Sequence, residues 1–175
     1  KNCFVLTGKL LGKSVGNRHG RREFRLAPRA NTSYANMKIA IPKERRPHEH
    51  RVAASLETVK KFISFGFDIA IEAGAGDGAS ISDAAFAETG ATIVDDTATA
   101  FANADIVLKG QRPLISGEDS PDEIVGMKKG AILIGMLDAL QHPNDVAAWK
   151  NAGLTAFSLE LLPRITRAQS MDCLL

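Results

Sequence analysis

This 175-residue chain predicts a doubly wound α/β domain with a mainly parallel sheet, and three observations carry that prediction. Its short apolar runs are continuously apolar rather than alternating, as strands buried on both faces require. Segments with helical spacing, each of about ten residues, separate those runs. From Met37 onward, strand, loop and helix repeat in that order. Together these imply an open Rossmann-like or flavodoxin-like sheet covered on both faces.

The elements follow in order. Residues 38–41 form a short β-branched run closed by Pro42, and Ser55 is placed to cap a helix carrying Leu56, Val59, Phe62 and Ile63 on one face. Residues 67–72 give a second strand. Ser82 caps a helix through Ala85, Phe86 and Glu88 that Gly90 ends, and residues 91–94 give a third strand. A helix over 97–103 precedes a fourth strand over 105–109. Pro121 sits where the first turn of a helix over 121–127 would want it, ahead of a fifth strand over 131–135. Pro143 repeats the device for a helix over 143–151 stopped by Gly153, and a sixth strand covers 154–157. Right-handed crossovers would then gather the loops after Ile41, Glu72, Lys109, Gly135 and Phe157 along one rim.

Composition sets further bounds. Hydrophobic residues make up 45% and charged residues 24%, which suits one buried domain, and no apolar run reaches the roughly 18 residues that cross a bilayer. The net charge of +2 conceals an asymmetry, because residues 1–36 hold eight Lys/Arg against one Glu while residues 37–175 carry an acidic excess. Residues 1–36 therefore read as a basic leader, disordered or non-native, and the domain as 37–175. Nucleic-acid binding would rest on that leader alone. Cys3 and Cys173 allow no disulfide framework or zinc knuckle, which fits a reducing compartment.

The most informative stretch is the last, Pro163-Arg164-Ile165-Thr166-Arg167-Ala168-Gln169-Ser170-Met171-Asp172, which follows the sixth strand and so falls at the ligand-bearing rim. Two arginines, an amide, a hydroxyl and a carboxylate within nine residues suit a planar, amide-bearing, partly anionic ligand such as a nucleotide. In isolation, that pattern would read as a solvated loop. Together with MKIAIPKERRPHEHRVAAS (37–55), EAGAGDGASISD (72–83) and VLKGQRP (107–113), it resembles the NAD(H)-binding alpha subunit of proton-translocating NAD(P) transhydrogenases, over residues 37 to about 172.

The resemblance implies the N-terminal half of a two-domain dehydrogenase-type subunit, truncated at its C-terminus. It implies hydride transfer between NADH and NADP⁺ coupled to proton movement, with NADP(H) held by a partner and the membrane spanned by other subunits. A homodimer in the cytoplasm, peripheral at the inner membrane, follows from the same likeness. Arg164, Gln169 and Asp172 would act in hydride transfer, and Arg164, Ile165, Thr166, Arg167, Gln169 and Ser170 would hold the cofactor. Where the family continues Asp, aliphatic, Leu, Ser, this chain reads Asp172-Cys173-Leu174-Leu175 and lacks the serine. Without the later nucleotide-binding domain, the chain alone is expected to be inactive and to bind NAD weakly.

Alanine dehydrogenases share this domain and are the first alternative. Their substrate-gripping lysine corresponds to Gln111 here and their catalytic histidine to Asp138, and neither replacement can hold a carboxylate. Arg51 matches an arginine common to both groups, although a pairing with Glu44 or Glu49 is equally compatible with its position. A non-catalytic module such as a phospho-receiver domain would need acidic residues after the first strand, where Pro42, Lys43 and Glu44 stand.

Two other patterns are discounted. Gly74-Ala75-Gly76-Asp77-Gly78-Ala79 spells a dinucleotide fingerprint, but residues 80–83 intervene before helical spacing begins, so a glycine-built turn is expected. His48 and His50 flank Glu49 without the surrounding residues a metal site needs, and no metal is expected.

Overall fold

A computed structural model of the chain describes residues 37–118 and 122–162. Among these residues six strands form one sheet in the order β3-β2-β1-β4-β5-β6, every pairing parallel. They are β1 (Lys38–Ile41), β2 (Asp68–Glu72), β3 (Thr92–Val94), β4 (Ile106–Gln111), β5 (Ile132–Met136) and β6 (Thr155–Ser158). Among the described residues four α-helices connect them: α1 (Leu56–Ser64), α2 (Asp83–Glu88), α3 (Thr97–Phe101) and α4 (Pro143–Asn151).

Local chemistry accounts for the helix starts. Ser55 Oγ accepts from the Thr58 amide and Ser82 Oγ from the Ala85 amide, each satisfying a donor with no partner inside its helix. Asp96 does the same for Thr99. Pro143 opens α4, and Gly90 (φ +96°) and Gly153 (φ +74°) supply the left-handed turns after α2 and α4.

Side-chain alternation along β1 divides the core in two. Ile39 and Ile41 face α1 and α2 with Val59, Ile69, Ile71 and Phe86, while Ala40 faces the other layer with Phe101, Val107, Leu133 and Trp149. Both faces of the central strands are therefore dry, as their unbroken apolar runs anticipated. β6 differs: it lies at one end of the strand order, Thr155 to Phe157 are exposed, and Phe157 keeps 43% of its surface in solvent.

Two expectations need correction. Residues 122–127 form turns and bends, not a helix. Asp122 directs its carboxylate to the amides of Ser116 and Ile124, and Glu123 turns inward to the Leu114 amide and the Lys109 ammonium. Satisfying the Asp122 turn and the more distant partners of Glu123 outweighs the local helical preference. The fourth strand also runs further than residue 109. An irregularity in the register with β5 between Leu108 and Gln111 carries β4 on to Gln111, which pairs with Met136.

Candidate functional site

The order 3-2-1-4-5-6 reverses direction between β1 and β4, and at such a switch point the loops on either side diverge and leave a crevice beyond the carboxyl ends of the strands. The crevice here encloses about 510 Å³, a size usual for small-ligand sites. The loop after β1 supplies Arg46, Pro47 and Arg51; the end of β4 supplies Gln111 and Arg112; the end of β5 and its loop supply Met136, Asp138 and His142; Glu160 comes from beyond β6. Four of the five loops expected to converge thus do so. The loop after β2 packs against the loop after β1 instead, with Lys43 Nζ 3.8 Å from Asp77 and Gly78 seated against the His50 backbone.

Within that β2 loop, the glycine-rich stretch is a turn. Gly74 has φ +71°, a single 3₁₀ turn covers Asp77–Ala79, and α2 starts only at Asp83, whose carboxylate accepts from the Gly74 amide, so the glycines do not run into the first turn of a helix as a fingerprint requires.

Among the described residues, each guanidinium lining the crevice is matched to a carboxylate. Arg46 donates through both terminal nitrogens to Glu118 and through Nε to the Arg112 carbonyl at 2.8 Å. Arg112 bridges Glu118 and Asp145, the latter in the first turn of α4. Arg51 forks onto Glu49 at 2.8 and 2.6 Å, which decides between its two possible partners. The same Glu49 accepts from the Gln111 amide at 2.8 Å. Hydrogen bonding from Arg51 outweighs burial and holds the Glu49 carboxyl down at about 2, so it is ionised at neutral pH.

The far wall rests on Glu160. Its carboxylate accepts from the amides of Leu137 and Ala139 and from Ser158 Oγ, and this fixes the loop in which Asp138 adopts φ +47°. Asp138 Oδ2 lies 3.5 Å from His142 Nε2. Behind the crevice, Lys109 is enclosed with Glu123 and Glu44.

Arg51, Gln111 and Asp138 are therefore brought together as the sequence suggested. Arg46, Arg112, Glu118, Asp145 and Glu160 were missed, and Lys109, an isolated cation inside an apolar strand, was the one local signal of the buried cluster. Arg164, Ile165, Thr166, Arg167, Gln169, Ser170 and Asp172 lie outside the described residues.

The family model for the alanine dehydrogenase/PNT N-terminal domain matches residues 40–175. The chain belongs to that family. The matched range takes in the stretch from Arg164 to Asp172. An NAD(P) transhydrogenase subunit alpha polypeptide of Rhodospirillum rubrum is 51% identical over 138 residues, covering 79% of this chain and 36% of the relative. The alanine dehydrogenase of Bacillus subtilis is 34% identical over 124 residues, 71% of this chain and 31% of the relative. Among solved structures, the transhydrogenase from Sinorhizobium meliloti superposes with a TM-score of 0.70 at 45% identity, covering 77% of this chain and 38% of that one. The chain thus spans about a third of the length of these relatives, within an oxidoreductase family and with the Rossmann-like α/β fold they share.

Proposed function

We propose that residues 37–172 form the leading portion of the NAD(H)-binding component of a proton-translocating transhydrogenase. The observation that carries this reading is Gln111, whose neutral amide occupies the crevice between Arg51 and Arg112 and is tied to Glu49. A substrate carboxylate needs an unpaired cation, whereas here Arg46, Arg51 and Arg112 are each engaged by an acid and Asp138 adds a negative charge to the wall. An amide-bearing ring asks instead for neutral donors and acceptors in a shaped cleft, and the crevice offers both. The 51% identity to the R. rubrum subunit supports the same choice over an alanine dehydrogenase.

In this reading NAD(H) supplies the hydride. The protein contributes position and exclusion of water, and no side chain acts as nucleophile or general base. Arg164 and Gln169 would orient the ring and Asp172 would orient Arg164, while Ile165, Thr166, Arg167 and Ser170 would help to hold the cofactor. NADP(H) is bound by a partner subunit, and other partners span the membrane, with this component in the cytoplasm at the inner membrane as a homodimer. Among the described residues no helix is long and apolar enough to cross a membrane.

The test is hydride exchange between NADH and an NADP⁺ analogue, measured in the complete protein with its partners. Replacing Gln169 with Ala should lower the rate by about tenfold to a hundredfold. Pyruvate-dependent oxidation of NADH would reassign the protein to the alanine dehydrogenases. For the 175-residue chain alone, calorimetry should show weak NADH binding, and tight binding would refute the dependence on a further domain.

A further inference from the structure

The loop after β1 buries a carboxylate that the proposed reaction does not use. The Glu44 side chain is 2% exposed, and its two oxygens are treated unequally. Oε1 accepts from the Gly110 amide at 2.6 Å, whereas Oε2 is buried and has no hydrogen-bond partner among the described residues. The nearest cation, Lys109 Nζ, stands 3.7 Å from Oε2 because it is drawn to Glu123, whose oxygens lie at 2.9 and 2.8 Å.

Charge counting shows what the cluster lacks. From the loop after β1 come Glu44 and Arg45, from β4 Lys109, from the turn beyond it Glu123, and from β2 Glu72, which Arg45 joins to Glu123 and to Thr97. Among the described residues three carboxylates face two cations, leaving one negative charge in excess in a largely dry interior. The neighbouring Glu49 and Arg51 form a neutral pair and do not correct it. An excess buried charge is relieved most readily by taking up a proton. Among the described residues, Oε2 of Glu44 is the carboxylate oxygen of this cluster that accepts no hydrogen bond, with Lys109 Nζ no nearer than 3.7 Å.

We propose that Glu44 is a proton-binding positioning residue, taking a proton on Oε2 while Oε1 holds Gly110, and that its protonation sets the end of β4 where Gln111 and Arg112 enter the crevice. The proton comes from solvent and no other bond is made or broken. With Glu44 ionised, the Gly110 hydrogen bond is charge-assisted and pulls on the strand just where its register with β5 is irregular. With Glu44 neutral, that pull weakens and the two side chains that follow relax with it. Burial pushes the Glu44 carboxyl above the ordinary glutamate value, against the opposing effects of Lys109 and the Gly110 amide. The inference rests on the packing of β4 and does not depend on the reaction proposed above.

The experiment is a pH titration of the isotopically labelled 175-residue chain by nuclear magnetic resonance, following the Glu44 side-chain carboxyl carbon and the amides of Gly110, Gln111 and Arg112. The expected result is that the carboxyl carbon titrates at higher pH than free glutamate and that all three amides shift with the same midpoint. Glu44→Gln keeps an oxygen for Gly110 and should abolish that shared titration in the amides while leaving the dispersion of the spectrum intact. A Glu44 carbon that titrates at or below the free-glutamate value, or amides that ignore it, overturns the proposal. Since the wild-type measurement decides this alone, a Glu44→Gln variant that failed to fold would not rescue it.

Discussion

Lys109 Nζ donates to both carboxylate oxygens of Glu123, at 2.9 and 2.8 Å, with the two side chains only 1% and 3% exposed. A buried pair of this kind adds little net stability over an apolar pair of the same shape, yet breaking it is costly because the surviving charge has nowhere to go. The loss here should be lopsided. Removing the ammonium in Lys109→Met takes the nearest cation from Glu44 and leaves Glu123, among the described residues, only Arg45 at 3.4 Å and the Leu114 amide, and should cost about 3–5 kcal/mol in denaturant unfolding. Glu123→Gln leaves Lys109 beside Glu44 at 3.7 Å and should cost clearly less. Equal losses would mean that Glu44 does not share the cation.

Arg51 and Glu49 make the outer counterpart of that pair. Glu49 ionises at about 2 in the folded chain against an ordinary value of 4.5. A depressed carboxyl contributes its stability above the unfolded value and loses it as pH falls through the folded one, so this contribution fades between 4.5 and about 2. Arg51 is 68% exposed, so solvent screening keeps the effect of Arg51→Ala under about 1 kcal/mol at neutral pH. The stability difference between wild type and variant should shrink to nothing as acid unfolding is followed down to that range. A difference that persists at the lowest pH would assign Arg51 a packing role instead.

Gly135 shows how tightly β5 approaches β4 beside the crevice. A Cβ on Gly135 would meet the Lys109 carbonyl oxygen at 2.5 Å, a backbone atom in the neighbouring strand that cannot swing aside. Gly135→Ala should therefore destabilise by about 1–3 kcal/mol and loosen amide protection on both strands, read by hydrogen exchange. Gly130→Ala has open space around its Cβ but sits at φ +87°, so it carries backbone strain without a clash and should leave the protection of β4 unchanged.

What could be read from the chain beforehand divides along the range of the interactions. Ser55 and Ser82 announced their helices because a cap is satisfied within three residues, and Pro143 and Gly153 bracketed α4 for the same reason. The apolar runs declared a two-faced sheet, and the topology then placed the crevice. Residues 122–127 failed because Glu123 answers to Lys109 fourteen residues away, a partner no local pattern reveals. The ion pairs that shape the crevice join residues still further apart, Arg46 with Glu118 and Arg112 with Asp145. Gln111 and Asp138 were found through family likeness, since nothing in an isolated glutamine or aspartate marks it as lining a site.

Burial separates two phenylalanines that composition cannot tell apart. Phe86 is fully enclosed between α2 and the sheet, and Phe86→Ala should cost about 3–5 kcal/mol through lost transfer energy and the cavity left behind. Phe157, on β6, keeps 43% of its surface in solvent, and its alanine variant should cost less than half as much in the 175-residue chain. Comparable losses would place Phe157 under cover in solution.

Glu160 offers the sharpest test of how the crevice wall is held. Burial works against ionisation of its carboxyl, but hydrogen bonds from Ser158 Oγ and from the Ala139 and Leu137 amides prevail and keep it below the ordinary 4.5. The contribution is therefore complete above 4.5 and is lost as pH falls below that. Glu160→Ala leaves two backbone donors without acceptors and should destabilise by about 1–3 kcal/mol. Asp138, held at φ +47° in the same loop, carries a conformational cost that the clamp offsets, so the loop should relax once Glu160 is gone. Hydrogen exchange at Leu137 and Ala139 should quicken in Glu160→Ala and much less in Glu160→Gln, which retains one acceptor oxygen. If both variants exchange like the wild type, the wall is held by packing of Leu137 in the core, where it is fully buried, and not by the carboxylate.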